Sequence, residues 1–126
     1  IEVTFVMGYT LVVDDSATER AIITGCLQGV GIDVFVAFSG EEALAKIQQD
    51  SPDLIVLDVV LPGRSGFEIC RELKGLDQTS KIPIILCSTK GTEIDKFWGM
   101  KQGANAYILK PIDQEELIAK VQELIA

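Results

Sequence analysis

The chain has 126 residues, 48% of them hydrophobic, and a net charge of −8, which suits one domain with a single core and leaves too little positive charge for nucleic acid to be a direct partner. It contains no histidine, which excludes Ser-His-Asp and Cys-His catalysis, most zinc enzymes and a phosphohistidine carrier. No apolar run approaches the roughly 18–20 residues of a membrane span, and residues 1–6, IEVTFV, are too short and uncharged for a signal peptide, so no membrane partner is expected.

Five strand-like runs alternate with helix-period stretches. The first run, TLVVD at 10–14, is apolar until it ends on the adjacent acids Asp14 and Asp15. A helix over 17–30 follows, with Ala21, Ile22, Cys26, Leu27 and Val30 expected on one face. Later runs fall at 32–37 (IDVFVA), 54–58 (LIVLD), 83–87 (PIILC) and 106–109 (AYIL), and a last helix at 113–126 turns Leu117, Val121, Leu124 and Ile125 to one side. Near-continuous apolar strands are expected in a sheet covered on both faces. Ser16-x-x-Glu19, Ser39-x-x-Glu42 and Asp113-x-x-Glu116 read as capping boxes, with Gly31 and Gly103 as helix stops. The pattern predicts an α/β domain, a parallel sheet with helices on both faces.

Cys26, Cys70 and Cys87 all sit in apolar surroundings. An odd count without close spacing argues against a disulfide framework or a zinc site, and buried free thiols in a reducing cytosol are expected.

Ligands of open α/β sheets bind beyond the C-terminal ends of the strands. Those ends carry Asp14-Asp15, Asp58, Ser88-Thr89 and Lys110-Pro111. Three carboxylates about 5 Å apart would repel by about 3 kcal/mol per pair at an effective dielectric of 20. Protonation, Lys110 or a divalent cation must relieve them. An all-oxygen set suits Mg²⁺ or a similar hard ion such as Mn²⁺. Asp58, entering the loop VVLPGRSG, is the carboxylate placed to attack phosphorus and form an acyl phosphate. Lys110 and the Ser88 hydroxyl would then meet the phosphoryl oxygens.

With "VVDDS", "LIVLDVVLPGRSG", "PIILCST" and "GANAYILKP" in this order, residues 9–126 resemble the receiver domain of bacterial two-component response regulators, the CheY-like family. Thirty residues separate Asp58 from Ser88 and twenty-two separate Ser88 from Lys110, spacings typical of that family. The resemblance implies a flavodoxin-like, doubly wound five-stranded sheet in the order 2-1-3-4-5. It implies phosphorylation of Asp58 by a histidine kinase or phosphotransfer protein, in the cytoplasm. It also implies a metal site of Asp14, Asp15, Asp58 and the Val60 carbonyl, a cis Lys110–Pro111 bond, and Tyr107 as the aromatic that turns inward when Ser88 moves. Output is expected through helix four, strand five and helix five onto a protein target. Val60 and Lys90 occupy the positions that tune hydrolysis, and apolar Val60 implies slow to moderate dephosphorylation. Thr89 departs from the family's usual alanine.

"TKGTEIDKFWGMKQGA" and "DDSATERAIITGCLQ" further resemble stand-alone receivers of chemotaxis-like pathways controlling type IV pilus motility, twitching or phototactic. One of Phe97 and Trp98 is expected in the core; an exposed Trp98 would mark a partner patch. Residues 1–8 are expected to be an N-terminal extension or remnant outside the 9–126 receiver. Two other readings remain open here: a receiver cut from a larger regulator, and a pseudo-receiver that binds without phosphorylation. A small-molecule phosphatase is disfavoured, since the Asp-x-Asp of haloacid dehalogenase-type enzymes is replaced by Asp58-Val59-Val60 and no P-loop is present. A switch, not a turnover enzyme, is expected.

Overall fold

A computed structural model describes residues 9–125. Five strands alternate with five helices: β1 (Thr10–Val13), α1 (Ala17–Gln28), β2 (Val34–Ala37), α2 (Gly40–Gln49), β3 (Leu54–Asp58), α3 (Gly66–Gly75), β4 (Ile84–Ser88), α4 (Glu93–Lys101), β5 (Ala106–Leu109) and α5 (Gln114–Ile125). All strand pairings are parallel, in the order β2-β1-β3-β4-β5. This is the expected flavodoxin-like sheet.

The sheet divides the core in two. On one face Leu11, Ile55, Leu57, Ile84 and Leu86 pack against α2 and α3 through Ala43, Ile47, Ile69, Cys70 and Leu73. On the other, Val12, Val56, Ile85 and Ile108 meet Ile23, Cys26 and Leu27 of α1 and Leu117 and Val121 of α5. The middle strands β1, β3 and β4 are buried throughout, which explains why their sequences lack polar alternation. Burying such side chains is worth about 1.5–3 kcal/mol each. All three cysteines are buried and free, and burial pushes the Cys87 thiol up to about 12.

Several local expectations need correction. The buried stripe of α1 is Ile23, Cys26 and Leu27, while Ala21, Ile22 and Val30 are exposed. Spacings of three and four from Ile23 define the face that meets the sheet. β1 ends at Val13, β2 starts at Val34 and β4 extends to Ser88. The Ser88 residue still pairs with Leu109 across the β4–β5 ladder.

Ser16, Ser39 and Asp113 each accept the N–H expected of a cap, from Glu19, Glu42 and Glu116 respectively. The reciprocal bond closes elsewhere. Complete capping boxes join Ser65 to Glu68 and Thr92 to Asp95. Glu42 accepts instead from Phe38 N at 2.5 Å, and Ser16 N donates to Asp14. Gly31 and Gly103 do end their helices, with φ of +84° and +103°, where a side chain would be strained.

Phe97 and Trp98 are both exposed, against the expectation that one would enter the core. Only Gly99 of α4 is buried. A Cβ there would lie 2.7 Å from the Tyr107 ring and 3.1 Å from Leu86 Cδ1. The helix therefore approaches the sheet along its backbone at Gly99, and its bulky side chains flank that line. Among the described residues, no helix is long and apolar enough to cross a membrane.

Candidate functional site

Parallel strands deliver their C-terminal ends to one edge. β1 hands over to Asp14 and Asp15, β3 ends on Asp58, β4 on Ser88, and β5 on the residue before Lys110. One carboxylate oxygen from each of Asp14, Asp15 and Asp58 lies within 4.8 Å of the others. Asp14 and Asp58 are buried, and Asp15 faces solvent. Lys110 bridges the buried pair: its Nζ lies 2.8 Å from Asp14 Oδ2 and 3.3 Å from Asp58 Oδ2.

Each side chain is held by its own local structure. Asp14 Oδ1 accepts from Ser16 N at 2.9 Å, and the Asp14 carbonyl accepts from the Arg20 guanidinium at 2.9 Å. Arg20 also stacks over Phe38, 4.2 Å from the ring centroid. Asp58 Oδ1 accepts from Val60 N at 3.3 Å. The loop beyond Asp58 turns at Gly63, with φ of +74°. It then packs back at Gly66, where any Cβ would overlie the Asp58 carbonyl oxygen. Lys110 N donates to Ser88 O at 2.9 Å, and the Lys110–Pro111 bond is cis.

Burial sets the electrostatics. It raises the pKa of Asp58 above the usual carboxylate value; the Asp14 charge adds to this and Lys110 opposes it. For Lys110, burial alone would lower the pKa. The hydrogen bond to Asp14 and the charge of Asp58 outweigh burial and hold the ammonium above its ordinary value. The pocket thus carries one reluctant carboxylate and one firmly protonated amine.

The Ser88 hydroxyl is buried and accepts from Lys90 N at 3.0 Å. Tyr107 OH donates to Lys90 O at 2.6 Å. Both side chains are therefore tied to the backbone of one residue. Val60 is exposed at the rim, as is the Lys90 side chain.

The site residues expected from the sequence, Asp14, Asp15, Asp58, Val60, Ser88, Lys90, Tyr107, Lys110 and Pro111, lie at this edge or in the β4–α4 and β5 segments beside it. Arg20, Glu19 and Gly66 were not foreseen as site residues. Arg20 carried one available signal: it stands one helical turn past Ser16, whose carbonyl accepts its N–H, so it faces back to the rim.

The parallel five-stranded sheet carries an acid cluster and a lysine at its C-terminal edge, and residues 10–122 match the response regulator receiver domain family, a class of signalling domain. The chain belongs to that family. It is 40% identical over 120 residues to the protein PilH of Pseudomonas aeruginosa, covering 95% of this chain and 99% of that one. The chemotaxis protein CheY4 of Vibrio cholerae superposes with a TM-score of 0.87 at 34% identity, over 94% of this chain and 99% of that one. The receiver domain of NtrX from Brucella abortus gives 0.85 at 30% identity, over 92% and 97%. The chain is thus a CheY-like receiver domain of two-component signal transduction, related to motility and chemotaxis regulators.

Proposed function

We propose that Asp58 accepts a phosphoryl group from the phosphohistidine of a histidine kinase or phosphotransfer protein, and that the modified domain acts on a protein target. The observation that carries this reading is the bridging of Asp14 and Asp58 by Lys110. An ammonium held between two acids is the group that can turn to incoming phosphoryl oxygens.

An Asp58 carboxylate oxygen attacks phosphorus, the N–P bond to the donor imidazole breaks, and the imidazole leaves with that electron pair. Lys110 moves from the carboxylates to the phosphoryl oxygens. The three carboxylates offer oxygen ligands only, a donor set that fits a hard divalent ion such as Mg²⁺ or Mn²⁺. Asp14, Asp15, Asp58 and the Val60 carbonyl would hold it, and when bound it would neutralise charge on the transferring group. Ser88 exchanges Lys90 N for a phosphoryl oxygen. Because Tyr107 is fastened to the same residue, release of that segment frees the ring to turn inward. A small two-state shift of β4, α4 and β5 follows.

The exposed residues Ile94, Phe97 and Trp98 of α4, with Leu109 of β5, support the α4–β5–α5 face as the output surface. Likeness to PilH and the motifs of α1 and α4 support a role in cytoplasmic control of pilus-based motility. A self-limited switch, not turnover of small substrates, is the activity expected.

Acetyl phosphate with Mg²⁺ should add one phosphoryl group by intact mass, and Asp58→Asn should remove that gain. With Val60 offering no group to orient water, the adduct should outlast seconds. Mass gain by the Asn variant would sink the assignment of Asp58.

A further inference from the structure

Glu19 is the acid of this edge that the proposed transfer does not use. In both complete capping boxes the third-position acid turns back onto the cap: Glu68 accepts from Ser65 N at 3.3 Å and Asp95 from Thr92 N at 3.1 Å. At α1 that donor is already taken, since Ser16 N donates to Asp14 Oδ1 at 2.9 Å. Glu19 is left without the cap bond its position predicts. Its Oε1 instead lies 3.9 Å from Lys110 Nζ, the ammonium that bridges Asp14 and Asp58. The Glu19 side chain is 29% exposed against 10% for Lys110, so its charge stands on the solvent side of the pair's burial range.

We propose that Glu19 is a donor-selecting residue, whose charge beside Lys110 disfavours small dianionic phosphodonors relative to less charged ones. This rests on Asp58 being the phosphoacceptor. With a divalent cation seated, the three carboxylates and the Lys110 ammonium balance it. Arg20 and the exposed Lys90 also bring positive charge to this rim; Arg20 is held against the Asp14 carbonyl and the Phe38 ring, neither of which neutralises it. Glu19 sets one negative charge against that positive remainder, 3.9 Å from the ammonium that the donor's oxygens must reach. Such a charge repels a dianion twice as strongly as a monoanion. It also competes for the ammonium that incoming oxygens need.

Two donors separate the effect of charge from that of structure. With acetyl phosphate, a dianion, the Asp58–O–P bond forms, the P–O bond to the acyl group breaks, and acetate leaves. With phosphoramidate, net singly negative near neutral pH because its nitrogen already carries the third proton, the Asp58–O–P bond forms, the P–N bond breaks, and nitrogen keeps that electron pair and leaves as ammonia. The test compares initial rates of Glu19→Gln and wild-type protein with both donors, with saturating Mg²⁺, at several ionic strengths, by intact mass. Asp53→Asn, at the opposite end of the strands, serves as a distant charge control.

Glu19→Gln should speed acetyl phosphate by about three- to tenfold and phosphoramidate distinctly less, the gain shrinking as salt screens it. In wild-type protein, salt alone should narrow the gap between donors. Equal acceleration with both donors, a salt-independent gain, no change, or the same gain from Asp53→Asn would overturn the proposal. A fully folded wild-type protein that takes phosphoryl from neither donor overturns the phosphoacceptor reading itself, and this inference with it.

Discussion

Asp58 and Lys110 share one pocket and pull its stability in opposite directions. The raised Asp58 pKa means that the folded state binds a proton more readily than the unfolded one. Its cost is absent below the ordinary carboxylate value and appears as pH rises through the raised folded value. In metal-free protein at neutral pH, Asp58→Asn should therefore stabilise by about 1 kcal/mol, and that gain should vanish in acid. The raised Lys110 pKa works the other way. Its contribution is complete below the ordinary lysine value and is lost as pH climbs through the higher folded one. Lys110→Ala strands two buried carboxylates and should cost about 3 kcal/mol at neutral pH. Urea unfolding in chelator across a pH series reads both signs; destabilisation by Asp58→Asn would show that the repulsion described here does not govern the pocket.

Elements contribute by where they begin and how closely they approach. The loop from Asp58 into α3 closes only because Gly66 lets backbone lie on backbone: a Cβ there would also crowd Val59 Cα at 2.9 Å. Gly66→Ala should cost about 2–3 kcal/mol and slow phosphorylation of Asp58 by displacing its carbonyl. Normal stability and normal phosphorylation in this variant would show that the loop has room to spare. α4 presents the opposite case. Its one buried position is a glycine, so little apolar area holds it to the sheet. Under the proposed switch, α4 is therefore expected to move readily with a change at Ser88 or Tyr107.

At the scale of the whole molecule, the proposed function needs the exposed apolar face of α4 to carry the state of the Asp58 edge to another protein. Phe97 and Trp98 lie on the surface. Replacing both with serine should leave phosphorylation intact and change stability by no more than about 0.5 kcal/mol per site. Capture of the phosphorylated domain's partner should fall sharply. Pull-downs with phosphorylated wild-type and double-variant protein measure this, and equal partner recovery would remove that face from the output surface.

What could be read in the sequence follows from residue type and period. Continuous apolar runs specify buried parallel strands, and the polar residues that end them specify the working edge, because every parallel strand finishes on the same side. Asp14, Asp15, Asp58, Ser88 and Lys110 were legible for that reason. Only the tertiary structure decided which neighbour each flexible polar group chose. Ser16 N took Asp14 and left Glu19 to Lys110, Arg20 found a carbonyl and a ring, and Gly99 rather than an aromatic met the sheet. Those choices depend on distances between segments far apart in the chain, which a local pattern of spacing does not encode.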